Sequence, residues 1–336
     1  MTIRVVSGGL QTTVQDLGRI GHQRSAIPVG GAMDRVALRI ANMLVGNDEA
    51  DAGLEVSLIG PALAFEETAV IAVTGADLEA SIDGRPFPVW HAARIPPGAT
   101  LRFGKPGIGC RAYLAVAGGI DVPRVFGSCS TYLRAHFGGH EGRALRAGDA
   151  LAIGATSSRA QRIAHQLGSA SDSTAVSRWS VARSVRPRYS EEPTVDVIPG
   201  AHTALLSAEA RGRMTGSAFR VSSSSDRMGY RFEGPPLALR DRVEMLSEGV
   251  AFGTIQLPPD GAPIILMADC QTTGGYPRIG EVATVDLPLI AQLKPGDRLR
   301  FRFTSLADAQ QRYLELERDL SQARVGLDLF HVRGSS

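Results

Sequence analysis

The chain has 336 residues, 43% hydrophobic and 21% charged, with a formal net charge of +2. That length suits two domains or one large two-lobed β unit, and that balance is ordinary for a soluble globular protein. Near-neutrality gives no reason to expect nucleic acid or an anionic membrane as partner, and no run approaches the roughly 20 apolar residues of a membrane span.

Cys110, Cys129 and Cys270 are odd in number and widely spaced, which argues against a disulfide framework or a zinc site. No signal-peptide core opens the chain, so the expected location is cytoplasmic. Only Lys105 and Lys294 are lysines, and neither lies in the Met-Lys-Met context of a biotin attachment site.

In chain order, the first polar cluster is Thr13-Val14-Gln15-Asp16-Leu17-Gly18-Arg19-Ile20-Gly21-His22-Gln23-Arg24. Its arginines suit a phosphate or carboxylate, and Asp16 or His22 suits proton transfer. A surface loop with a local Asp–Arg pair is the plain alternative. Pro28-Val29-Gly30-Gly31-Ala32-Met33-Asp34 then feeds a helix. Asp34 reads as its N-cap, Val36, Ala37, Ile40, Ala41 and Leu44 as its apolar face, and Gly46 as its end. Such an N-terminus attracts anions, but a capping carboxylate already occupies that field.

Residues 68–73 read as a strand, and residues 78–82 lead into the Asp83-Gly84 hairpin signal. Residues 98–106 approach a phosphate loop but carry Pro106 where Ser or Thr belongs. Residues 110–116 read as another strand, closed by Gly118-Gly119. His136 and His140 share a segment too rich in glycine for a helical pair of metal ligands. Residues 155–192 are rich in Ser, Ala and Arg, and read as a linker or mobile excursion.

Ser224-Ser225-Asp226-Arg227-Met228-Gly229-Tyr230 is the second polar cluster. Arg227 suits developing negative charge, and Asp226 suits holding Arg227 or a metal; a salt-bridged turn is the alternative. The most informative stretch follows the apolar strand Pro263-Ile264-Ile265-Leu266-Met267. It reads Ala268-Asp269-Cys270-Gln271-Thr272-Thr273-Gly274-Gly275-Tyr276-Pro277. A buried strand ending in short polar side chains and glycines aims neutral donors and acceptors at a ligand, which suits an amide or urea-like compound.

Near the end, Leu299, Phe301 and Phe303 alternate with Arg298, Arg300 and Arg302, a half-buried strand. A helix then starts after Ser305, with Asp308 completing a capping box. Leu306, Ala309, Tyr313, Leu316, Leu320, Ala323 and Leu327 form its stripe. Two short echoes suggest related halves. Gly60-Pro61-Ala62-Leu63 resembles Gly234-Pro235-Pro236-Leu237, and Leu145-Arg146-Ala147-Gly148-Asp149 resembles Leu293-Lys294-Pro295-Gly296-Asp297.

Four motifs, in order, resemble the signatures of the allophanate hydrolase subunit 2-like, biotin-dependent carboxyltransferase family. They are residues 14–19, residues 30–34, residues 225–230 and residues 271–277. The likeness runs from about Ile3 to Ser305, and the family includes the C subunit of bacterial 5-oxoprolinase and part of urea carboxylase. It implies a mainly β fold of two cyclophilin-like β-barrel halves with a few short helices and a C-terminal helix.

The expected divisions are 1–154, a linker at 155–192, 193–305, and a helix and tail at 306–336. The resemblance further implies ATP-dependent opening of 5-oxoproline to glutamate with a kinase-inhibitor-like B subunit and an A subunit, ATP and Mg²⁺ acting at the level of the complex. Asp16, Arg19, Asp226 and Arg227 are the expected catalytic residues. His22, Met33, Asp34, Ser225, Gln271, Thr272, Thr273, Gly274, Gly275 and Tyr276 are expected to bind substrate, and no metal ligand is assigned.

One departure is Cys129, where the family pattern leads one to expect arginine, with loss of a bidentate anchor. Two alternatives stand beside this reading. One is a carboxyltransferase for urea or another amide, served by biotin on another chain. The other is a non-catalytic regulator that binds a kinase-inhibitor-like partner.

Overall fold

Apolar runs become strands where β-branched residues cluster, as in Ala69–Gly75, buried at every position. The computed structural model describes residues 1–168, 173–241 and 245–333. Among these the fold is mainly β, and the chain divides into two compact units. The first comprises Met1–Arg19, Asp34–Pro187 and Arg318–Ser336; the second comprises Ile20–Met33 and Arg188–Glu317.

In the first unit, one sheet runs Ile120–Asp121, Ala150–Ile153, Thr2–Ser7, Ala62–Phe65, Thr100–Arg102, Ser81–Ile82 and Arg85–Pro86. The other runs Ala175–Val176, His91–Ile95, Ala69–Gly75, Arg111–Val116, Gly53–Ser57 and Gln11–Gln15. Both contribute to one core, with Ile3, Leu63 and Leu101 from the first sheet and Leu54, Ile71 and Leu114 from the second. Only Ser81–Ile82 of the expected 78–82 strand is regular. Its turn is as read, with Asp83 and Gly84 both at positive φ (50° and 77°), the hairpin geometry this dipeptide favours.

In the second unit the strands close into a barrel: Thr194–Pro199, Arg278–Val282, Thr254–Gln256, Ile264–Leu266, Gly229–Glu233, Ala218–Val221 and Arg298–Phe303. Closure leaves none of these strands with an unpaired edge. Phe219, Phe232, Leu299 and Phe301 fill its core.

The expected helix is Arg35–Val45. Asp34 caps it by accepting from the Ala37 N–H at 2.9 Å, and Gly46 closes it. The final helix, Leu306–Arg333, begins with the anticipated capping box: Ser305 Oγ accepts from the Asp308 N–H at 3.0 Å. Ala309, Leu320 and Leu327 of its stripe are buried, whereas Leu306 and Tyr313 stay exposed. Arg312 on this helix reaches two buried carboxylates, Asp196 and Asp286, and Arg302 also pairs with Asp196 at 2.6 Å. The arginine row of the last strand is therefore engaged at Arg302 and, with Glu192, at Arg300.

The two echoes are structural equivalents. In each unit a Leu-x-x-Gly-Asp turn precedes an antiparallel strand. Gly148 N–H donates to Val5 O at 2.8 Å, and Gly296 N–H to Val221 O at 2.9 Å. Asp149 O accepts from Val5 N–H and Asp297 O from Val221 N–H, both at 2.8 Å. The glycines sit at φ 94° and 96°, a left-handed conformation that side chains disfavour. Gly60 and Gly234 likewise each lie against a phenylalanine, Phe103 and Phe219, where a Cβ would collide.

The divisions differ from those read in the sequence. Residues 20–33 group with the second unit, and the described residues of the expected linker up to Pro187 group with the first. Ser157 caps a helix at Ser158–Gln166, and Ala175–Val176 pairs with Ala93 and Arg94. Periodicity concealed these elements because the helix is short and the strand has two residues. Residues 169–172 of that segment and 334–336 of the tail lie outside the described residues.

Candidate functional site

The first unit gathers Asp16 and Arg19 around the 128–130 turn. Gln11–Gln15 ends at Asp16, whose carboxylate is buried and ringed by donors. Oδ1 accepts from Gly18 N–H at 2.7 Å, from the Ser128 hydroxyl at 2.7 Å and from the Ser130 hydroxyl; Oδ2 accepts from Cys129 N–H at 2.6 Å. Arg19, 1% exposed, donates to Ser130 O and lies over the Phe137 ring at 4.9 Å. Asp16 thus holds a turn in place, and Arg19 braces the same turn from its carbonyl side.

Cys129 packs in the core with its thiol 3.7 Å from Val122 O, and burial pushes that thiol's pKa up. Arg19 supplies a guanidinium to this turn although position 129 does not. Asp34 is fully buried; besides capping its helix, its N–H donates to the Tyr113 hydroxyl at 2.7 Å, which donates to Glu55 at 2.8 Å. Burial beside Glu55 raises the Tyr113 pKa well above the ordinary phenol value, so the hydroxyl remains a donor.

The second unit gathers Arg227, residues 30–31 and residues 267–269. Arg227 makes a bidentate pair with Asp269, Nε to Oδ2 at 2.8 Å and Nη2 to Oδ1 at 3.0 Å, and also donates to Gly31 O at 2.7 Å. Backbone bonds lock the same junction: Asp269 N–H to Arg227 O at 2.8 Å, Met267 N–H to Met228 O at 3.0 Å, and Gly30 N–H to Ala268 O at 3.0 Å.

The carboxylate that holds Arg227 is therefore Asp269, correcting the role sketched for Asp226. Asp226 is exposed and shapes its own turn, accepting from Met228 N–H at 2.7 Å and Gly229 N–H at 3.2 Å. Ser225 clips the same hairpin through Arg231 N–H at 3.0 Å. Met33 is a core side chain, and His22 precedes a short 3₁₀ turn where its carbonyl accepts from Ser25 N–H at 2.9 Å.

Beyond Asp269 the chain emerges. Cys270 is still buried, its thiol pushed up to about 12 by burial and the adjacent Asp269, which leaves it protonated and poorly nucleophilic. Gln271, Thr273, Gly275 and Tyr276 are exposed, with Thr272 and Gly274 half-buried. Thr273–Gly274 pairs with Glu248–Gly249 as a small separate ladder, and Val250 N–H donates to Thr272 O at 3.0 Å. Gly275, Tyr276 and Pro277 help line a cavity of about 750 Å³ with Leu237, Leu257 and Pro258. Arg240, Asp241 and Asp260 share that lining, so the cavity joins an apolar floor to charged groups and suits a small polar ligand.

Sequence reasoning passed over Asp269 as a partner of Arg227, and missed Ser128 and Ser130 as donors to Asp16. It also missed Glu248, whose carboxylate holds Arg278 at 2.9 Å just after the 271–276 arm. A carboxylate directly after a buried strand was the available signal for Asp269.

Residues 25–303 match the family described as carboxyltransferase domain, subdomain A and B. The chain belongs to this family. Relatives in the carboxyltransferase domain family include the C subunit of 5-oxoprolinase from Haemophilus influenzae, 38% identical over 95% of this chain and 96% of that protein. The C subunit of the Escherichia coli 5-oxoprolinase is 40% identical over 93% of this chain and 96% of its own. Among solved structures, urea amidolyase of K. lactis superposes with a TM-score of 0.86 at 29% identity, covering 96% of this chain and 20% of that one. As in any superfold comparison, the shared scaffold leaves the reaction to be argued from the site. No described helix is long and apolar enough to cross a membrane.

Proposed function

We propose that this chain is one subunit of an ATP-dependent enzyme that opens the ring of 5-oxoproline to give glutamate, working with a kinase-inhibitor-like subunit and a further subunit. The observation that carries the reading is length as well as likeness. Two proteins named as the C subunit of 5-oxoprolinase align with this chain almost end to end, whereas the urea amidolyase match occupies 20% of its chain.

A lactam is resonance-stabilised and a poor electrophile, and ATP supplies activation by phosphorylating its oxygen. This chain's part is orientation. The Gln271 amide and the Thr272 and Thr273 hydroxyls hydrogen-bond the lactam N–H and carbonyl, and the Tyr276 ring covers its apolar edge. Arg227 and Asp269 hold the base of that arm, and Asp16 and Arg19 hold the 128–130 turn, so these charged residues act by positioning.

This reading assigns no residue of this chain to a nucleotide or to Mg²⁺. Among the described residues, no three His, Cys, Asp or Glu side chains gather to hold a metal. The glycine-rich 98–106 stretch is spent on a strand at Thr100–Arg102 and on the Gly104 N–H bond to Leu78 O. In this reading ATP and Mg²⁺ act at the level of the complex.

The test is ATP-dependent glutamate release by the reconstituted subunits. Gln271→Ala combined with Thr273→Val should lower turnover at least about tenfold while leaving the fold intact, the loss of one or two hydrogen bonds to substrate. Unchanged turnover in that variant sinks the assignment.

A second reading, biotin-dependent carboxyl transfer to urea or another amide, is favoured by the family match and by the TM-score of 0.86. The same arm would hold the acceptor, and biotin would arrive on another polypeptide. Co-purification with a biotinylated carrier, and carboxylation of urea in place of 5-oxoproline hydrolysis, would decide for it.

A further inference from the structure

The arm at residues 271–276 is anchored on its far side by a cluster that the proposed chemistry does not use. Strand Arg278–Val282 begins two residues after Tyr276, and its first residue is gripped twice by His202. His202 N–H donates to Arg278 O at 3.0 Å, and Arg278 N–H donates to His202 Nδ1 at 3.1 Å. Space here is tight: a Cβ on Gly200 would lie 2.6 Å from Arg278 O and 2.8 Å from Gly280 N. Glu248 sits opposite Gly274 in the small ladder, and its carboxylate takes the Arg278 guanidinium at 2.9 Å.

The hydrogen bond to Nδ1 fixes the chemistry of the ring. An imidazole nitrogen that accepts must carry its lone pair, so the proton of the neutral ring lies on Nε2. Nε2 faces Glu248 Oε1 at 3.9 Å. The other charged groups around it are the Arg278 guanidinium, with Glu281 beyond it at 3.8 Å, and Arg211, which donates to the neighbouring Thr203 O at 3.1 Å. Protonation places an N–H on Nδ1, directly against the Arg278 N–H, and removes that acceptor. The new positive charge also competes for the Glu248 carboxylate, whose Oε1 faces Nε2 while its Oε2 holds Arg278. The link to the Arg278 backbone N–H is the one that protonation breaks.

We propose that His202 is a positioning residue for the 271–276 arm, and that protonation of its ring loosens the arm and makes ligand binding there proton-sensitive. As a statement about substrate it rests on the arm's proposed role in holding the amide. As a statement about the arm it does not.

The experiment separates the two. Hydrogen exchange in peptides covering residues 271–281 is compared at about pH 5.5 and about pH 8, after correction for chemical exchange rates. Native protein should lose protection about fivefold at the lower pH, one hydrogen bond's worth. His202→Asn places an amide oxygen near Nδ1 but cannot titrate, so it should keep the high-pH protection and lose the pH dependence. His202→Ala should show low protection at both values. An Asn variant that keeps the native pH dependence overturns the proposal, as does an Ala variant as protected as native protein at about pH 8.

In the reconstituted enzyme, the native KM should rise toward acid with kcat little changed, and His202→Asn should flatten that rise. A native KM that stays flat toward acid while exchange responds overturns the ligand-binding half of the proposal and leaves the arm's anchoring intact. Absence of 5-oxoproline turnover with the exchange result intact counts against the functional reading alone.

Discussion

Asp16 and Asp269 are both buried carboxylates standing at or just beyond the end of a strand, yet they are satisfied in opposite ways. Asp16 is ringed by neutral donors, two backbone N–H groups and two serine hydroxyls. Asp269 is neutralised by one guanidinium, held bidentately with side chains only 6% and 5% exposed. A ring of neutral donors spreads the cost of burial over many small bonds, so each can be lost singly. A buried ion pair concentrates it, because removing either partner strands a charge.

The largest effect should therefore come from Arg227→Met. Leaving the Asp269 carboxylate buried without its cation should lower stability by about 3–5 kcal/mol, read by denaturant unfolding. Restoring neutrality with Arg227→Met and Asp269→Leu together should recover much of that loss; no recovery would show that the backbone bonds at the junction fail too. Next comes Asp16→Asn, which keeps the shape but offers one acceptor oxygen where two are used. It should cost about 2 kcal/mol, and a neutral result would mean that the serine hydroxyls simply rotate to other partners. Ser128→Ala removes a donor to Asp16 and an acceptor for the Ser130 N–H, and should cost about 1–2 kcal/mol.

The repeated Leu-x-x-Gly-Asp turns sharpen the same contrast through pH. Hydrogen bonds from Arg143, chiefly, hold the Asp149 carboxyl well below the usual carboxylate range. A carboxylate depressed on folding contributes stability that is complete above its unfolded value, near 3.9, and is lost as pH falls toward the folded value. Asp149→Asn should therefore destabilise by about 1–2 kcal/mol at neutral pH, with the gap to native protein closing progressively below about pH 4. A gap independent of pH would show that the turn needs only the side chain's shape.

Local signals carried much of the fold. Asp34 and Gly46 bracket a helix, Asp83-Gly84 makes its hairpin, and Ser305 with Asp308 starts the last helix, because caps and turns depend on neighbours a few residues apart. The echo between residues 145–149 and 293–297 survived for the same reason. What escaped was long-range. Asp269 lies 42 residues from Arg227, and Ser130 lies 114 from Asp16, distances over which residue type says nothing about pairing. Residues 20–33 escaped too, since adjacency to the first unit in sequence concealed that their packing is with the second. Of the candidate site, the 271–276 arm was proposed from a polar, glycine-rich run placed after an apolar strand, while the residues that anchor it, Asp269, Glu248 and His202, were not legible.

The family match stops at residue 303, and the salt-linked residue Arg312 comes after it. A chain trimmed at that boundary for expression, or fused there to a neighbouring polypeptide, would retain Asp196 and Asp286 and discard a cation that bridges them. The useful cut site for domain engineering is set by this charge balance and lies beyond Arg312, well past the end of the recognisable sequence.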